Sequence, residues 1–145
     1  MSTEDKLKRA SVIQKMALRD KLETSRKRHT LMVLREELSK NQNLRNQLES
    51  LVEQAASPNE AQTAIALHSA SWYNAKVRDQ LEMVANRCTH LNNEVQTMQT
   101  DLARAEQKRA KKQERADQLI SQARKAAQDK ADERLAELRT RSSKR

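Results

Sequence analysis

Not one glycine occurs in the 145 residues of this chain. Tight turns need residues that tolerate positive φ, and glycine is the usual one. Without it, β-hairpin folds, dinucleotide-binding βαβ units and P-loops are excluded as expectations. Proline and cysteine occur once each, phenylalanine never, and aromatic residues make up about 1%. Charged residues reach 34%, so a thick globular core cannot be assembled. Ala, Glu, Lys, Leu, Arg and Gln dominate, the composition of long helices and coiled coils.

One strong break is present, at Ala55-Ala56-Ser57-Pro58-Asn59-Glu60. Proline is tolerated at a first helical position, whose N–H has no helical partner anyway. Ser57 and Glu60 have the Ser-x-x-Glu spacing of a capping box. Ser2 and Asp5 form a weaker version at the start. The expected architecture is therefore all-α. Helix 1 covers about 3–55, a turn about 56–58, and helix 2 about 58–140, the two forming a long antiparallel two-helix coiled-coil hairpin. At 1.5 Å per residue the helices measure ~80 and ~120 Å, so the second overhangs the first. A short connection favours antiparallel neighbours.

The apolar spacing agrees with this. Val77, Leu81, Val84, Cys88, Leu91, Val95, Met98, Leu102 and Ala105 alternate steps of four and three, the 3.5-residue period of a left-handed coiled coil. In helix 1, Leu31, Leu34, Leu38, Leu48 and Val52 follow one seam, interrupted by Asn41 and Arg45. Val12, Ile13, Met16, Leu18 and Leu22 suggest a second, shifted seam. The polar stretch from Thr24 to His29 is expected to loosen the pairing between them. A turn centred near residue 57 sets position i against 114 − i. Leu38 is then expected opposite Val77, Leu34 opposite Leu81, Leu31 opposite Val84 and Met16 opposite Met98. Beyond Ala105 the register positions become Arg109 and Lys112, and the seam is expected to stop there.

The net charge is +9, which favours an acidic partner of some class. It is uneven: residues 1–56 net +4, residues 57–100 net −1, and residues 101–145 net +6. Five i,i+4 pairs (Glu4–Lys8, Asp5–Arg9, Glu23–Lys27, Glu36–Lys40, Glu137–Arg141) each add a few tenths of a kcal/mol, about 0.2–0.5. The last forty residues show a sparse apolar face of Ala116, Leu119, Ile120, Ala123, Ala127, Leu135 and Leu138. No stretch of about 18 apolar residues exists for a membrane span. The opening Met-Ser-Thr-Glu-Asp lacks the basic start and apolar stretch of a signal peptide. A lone cysteine fits a reducing compartment, and the expected location is cytoplasmic.

No catalytic, cofactor or metal site is expected. Cys88 and His90 project about 200° apart on a helix and cannot chelate one ion. Cys88 reads instead as a small hydrophobe on the seam. His29, His68 and His90 fall on separate turns with no nucleophile beside them, and a two-helix rod offers no concave site. The runs Arg26-Lys27-Arg28 and Lys108-Arg109-x-Lys111-Lys112 could track phosphates, but the aromatics that single-stranded nucleic acid stacks on lie elsewhere. Trp72 and Tyr73, about 100° apart on one helix near the hairpin tip, cannot both enter a two-helix seam. At least one is expected on the surface, where aromatics serve as interface anchors.

Two long helices joined near one third of the length at Ser57-Pro58-Asn59-Glu60, with a longer second helix ending in a Lys/Arg/Glu/Gln/Ala-rich tail from Ala105 to Arg145, resemble the FliJ family of flagellar export proteins and the stalk subunits of virulence type III secretion. The resemblance is architectural and spans the whole chain. It implies a non-enzymatic stalk whose end carrying both termini inserts into a hexameric export ATPase. It also implies a hairpin tip that reaches toward the membrane export gate, with export chaperones as further partners, at a location peripheral to the inner membrane. By position in the chain, Lys6, Lys8, Arg9, Lys108, Arg109, Lys111 and Lys112 are the candidates for ring contact, and Leu48, Leu51, Trp72 and Tyr73 for the gate. A general structural coiled coil dimerising through the same seam, and a basic nucleic-acid-associated coiled coil, are the alternative readings.

Overall fold

A computed structural model describes residues 2–55 and 63–144. They form two helices, α1 (Thr3–Ala55) and α2 (Ala64–Ser143), with no strand among the described residues. The chain is an all-α helical hairpin. No described residue has positive φ, the conformation for which glycine is the usual residue. Ser2 caps α1: its Oγ accepts the Asp5 N–H at 3.1 Å and donates to the Asp5 carboxylate at 2.7 Å. Thr63 caps α2, its Oγ1 accepting the Ala66 N–H at 3.2 Å. The expected turn at 56–58, the Ser57–Glu60 capping box and a start of helix 2 at Pro58 lie outside the described residues.

The helices divide into two compact units. One comprises Met1–Arg26 with Leu102–Arg145, the other Lys27–Asp101. In the second unit, α2 buries Val77, Cys88, Leu91 and Val95, with Leu81, Val84 and Met98 half-buried between them. From α1, Leu31 is buried, and Leu34, Leu38, Asn41, Leu48 and Val52 are half-buried. Asn41 is accommodated because its Nδ2 donates to the Glu37 carbonyl at 2.9 Å. Across the helices Arg87 Nη2 meets Glu37 Oε1 at 2.6 Å. That carboxylate raises the Arg87 pKa above its ordinary value, chiefly through the hydrogen bond.

In the first unit the inward positions of α1 are Thr3, Lys6, Ala10, Ile13, Ala17, Asp20 and Thr24. They step by three and four, continuing the frame of Leu31 and Leu34 without a break. The shifted seam is therefore corrected. Ile13 alone of its members turns inward, and Val12, Met16, Leu18 and Leu22 are exposed. An unkinked helix keeps one face toward its partner, so small and polar residues at the frame positions outrank larger apolar ones off it. Thr24, expected to loosen the pairing, is only 2% exposed. Its hydroxyl donates to the Asp20 carbonyl one turn back at 2.8 Å, so its burial leaves that donor satisfied.

The stop at Ala105 is corrected too. The α2 seam runs on through Arg109, Lys112, Ala116, Leu119, Ala123 and Ala126 in the same alternation. Lys112 is carried within it by an ion pair to Asp20, both side chains about three-quarters or more covered. From Ala127 to Lys144 every residue is exposed. The next frame positions there are Lys130, Glu133 and Glu137, which cannot extend an apolar seam.

The expected register is corrected by the same ion pairs. Setting i against 114 − i places residue 77 opposite Glu37 and residue 94 opposite Asp20, whereas their partners are Arg87 and Lys112. Met16, expected opposite Met98, is not in the seam. The expectation assumed a tight turn centred on residue 57. The described helices end at Ala55 and restart at Ala64, and both ion pairs place the midpoint between facing residues later than residue 57.

Candidate interaction surfaces

Charge is segregated between the two units. Met1–Arg26 with Leu102–Arg145 carries 21 basic and 11 acidic side chains, a net of +10. Lys27–Asp101 carries 8 and 9, a net of −1. All of the chain's excess positive charge therefore lies in the unit that holds both termini.

The cations singled out in the sequence fall into two environments. Lys6, Arg109 and Lys112 occupy seam positions and are half-buried. Lys112 is held by Asp20. The Arg109 Nε is buried without a hydrogen-bond partner, at the rim of an open groove of about 600 Å³ along α2 that Gln113, Glu114 and Asp117 also line. Lys8, Arg9, Lys108 and Lys111 are exposed. Lys8 pairs with Glu4 at 3.1 Å, both side chains more than 70% exposed, a geometry of little energetic weight. Lys27, from the basic run Arg26-Lys27-Arg28, is turned half inward.

In the second unit, Trp72 and Tyr73 are both exposed, Trp72 at 63%. Lys76 Nζ lies 5.5 Å from the centre of the Trp72 ring, within cation–π range. Leu51 is exposed, and Leu48 is half-buried on the seam. Leu44, Ile65, Leu67 and Met83 are further exposed apolar side chains of this unit that were not singled out in the sequence. Ile65 and Trp72 stand seven residues apart, a signal that the helical period could have yielded.

Cys88 is buried and unoxidised. His29, His68 and His90 are exposed, and His90 Nε2 approaches Glu94 at 2.9 Å. Among the described residues no group of three or more His, Cys, Asp or Glu side chains is placed to hold a metal ion. No described helix is long and apolar enough to cross a membrane.

A second surface missed in the sequence is the outward face of α1 between Lys8 and Arg26. Its signal was present in the frame of Leu31 and Leu34, which, extended toward the N-terminus, assigns Val12, Leu18 and Leu22 to the side away from the partner helix. No protein-family model, curated protein or solved structure matches this chain.

Proposed function

We propose that this protein is a non-enzymatic stalk or coupling subunit of a bacterial flagellar, type III, protein export apparatus. In this reading it is cytoplasmic and peripheral at the inner membrane. The unit holding both termini inserts into a hexameric export ATPase, and the unit holding Trp72 and Tyr73 contacts the export gate or export chaperones. The observation that supports the reading is the charge segregation, +10 against −1. A basic end suits a ring lined by acidic loops, and a near-neutral end with exposed aromatics suits an apolar partner surface. A stalk needs stiffness, which glycine-free helices supply. It also needs a surface that six subunits grip unequally, biasing them toward different states. Ring contact rests on the exposed cations Lys8, Arg9, Lys108 and Lys111, with Lys6, Arg109 and Lys112 behind them.

The test is the hydrolysis rate of the export ATPase from the same source with and without this protein. A rise that saturates well below one chain per ATPase subunit supports the stalk. Alanine at Arg9, Lys108 and Lys111 then weakens the activation in a salt-sensitive way. No change in rate with an ATPase competent to form hexamers refutes the reading.

A further inference from the structure

We infer that the outward face of α1 between Lys8 and Arg26 is a docking surface for an acidic amphipathic helix of a partner protein. The face lies directly opposite the seam. Its positions combine long cations with aliphatic side chains, Lys8, Val12, Lys15, Leu18, Arg19 and Leu22, with Ser11 and Ser25 beside them. Val12, Leu18 and Leu22 are each close to 60% exposed. Lys15 and Arg19 are exposed as well. No carboxylate occupies this face over the roughly five turns from Lys8 to Arg26, because Asp20 is turned into the seam and Glu23 stands beside it; Glu4, one turn before, pairs with Lys8. The outward face of α2 in the same unit differs, interrupting its cations with Glu114 and Asp117.

Charge and spacing decide the occupant. Cations at steps of four and seven match carboxylates repeated on the same helical period. The isopropyl and isobutyl groups between them need aliphatic side chains to cover them, which a helix laid along the face supplies. A lipid surface fits less well. A helix bedded in a bilayer keeps its central line apolar with cations at the margins, whereas Lys8 and Lys15 lie on the central line here. Duplex nucleic acid would reward the cations and leave Val12, Leu18 and Leu22 in water. Apart from Lys8, the surface uses none of the cations assigned above to an ATPase ring, and it stands whether or not that reading holds.

The test uses the full chain and a labelled 21-residue peptide kept helical and monomeric by one hydrocarbon staple, with leucines along one face and glutamates flanking them. Binding is followed by fluorescence anisotropy. A same-composition peptide in scrambled order, vesicles of phosphatidylserine in phosphatidylcholine, and a short DNA duplex complete the set of probes. The ordered acidic peptide is expected to bind, and the scrambled one to bind about tenfold more weakly. Lys15→Glu with Arg19→Glu is expected to lower affinity about tenfold and to transfer binding to a peptide with lysine in place of glutamate. Val12→Ser with Leu18→Ser and Leu22→Ser is expected to lower affinity similarly. Unchanged circular dichroism in both variants shows that the surface alone was altered. Equal binding of the scrambled peptide, indifference to the serine substitutions, or tighter binding of the vesicles or the duplex through these same residues would overturn the inference.

Discussion

Leu91 is the largest fully buried side chain in the described structure, at 0% exposure, and it tests the seam most directly. Leu91→Ala removes three buried carbon groups, each contributing about 0.8 kcal/mol in transfer free energy. A cavity term adds to this where the surroundings cannot close in, so buried leucine truncations cost about 2–5 kcal/mol. Two helices can approach each other more freely than the walls of a globular core, which places the cost near the lower end, about 2–3 kcal/mol. With a urea dependence of about 1.5 kcal/mol per molar, the unfolding midpoint falls by about 1.3–2 M while the slope is unchanged. Leu18→Ala is the control. Leu18 is as large, yet 60% exposed on the far face of α1, and its loss moves stability by no more than about 0.5 kcal/mol. Equilibrium urea unfolding followed at 222 nm reads both variants. Equal costs for the two leucines would refute the assignment of the seam, since burial would then not distinguish them.

Two further outcomes follow from the ion pairs. Asp20→Asn leaves Lys112 half-buried without its counter-charge and is expected to cost about 1–3 kcal/mol. Adding Lys112→Met removes the stranded charge and recovers most of that loss, so a strictly additive double-mutant cycle would refute coupling between them. In a Cys88→Ser background, Glu37→Cys with Arg87→Cys is expected to be joined within one chain by a short bis-maleimide, while Leu38→Cys with Val77→Cys is not. Efficient joining of the second pair would restore the tight-turn register.

The α2 seam was legible because its frame positions from Val77 to Leu102 are bulky apolar residues or cysteine, and bulk marks period. Much of α1 was not legible for the converse reason. Its frame positions toward the N-terminus are Lys6, Ala10, Ala17, Asp20 and Thr24, while Leu7, Val12, Leu18 and Leu22 stand off the frame. An apolar count therefore favours the wrong face. The correct argument is geometric: α1 contains no glycine or proline to kink it, so the frame set by Leu31, Leu34 and Leu38 has to persist. The exposure of Trp72 followed from the same geometry. Register was not legible, because it depends on the length of the connection between the helices, which the apolar period does not report; the described cap of α2 is Thr63.

The two halves of the seam reach pairing by different physics. In the unit Lys27–Asp101, aliphatic side chains and one thiol supply it. In the other unit the buried set is Ala10, Ala17, Ala116, Leu119, Ala123 and Thr24, with an ion pair inside. Alanines bury little area each, so this unit gains less from the hydrophobic effect per turn of helix. Small frame residues let helix backbones approach closely, and a buried charge pair penalises any frame that separates its members. The aliphatic residues that could have strengthened this seam, Val12, Leu18 and Leu22, are instead spent on the outer face among lysines and arginines. That distribution gives the seam of this unit less apolar burial and leaves three large aliphatic side chains exposed on its exterior. A partner that covers the exterior would bind only the helical state, and would stabilise it in proportion to RT ln(1 + [L]/Kd).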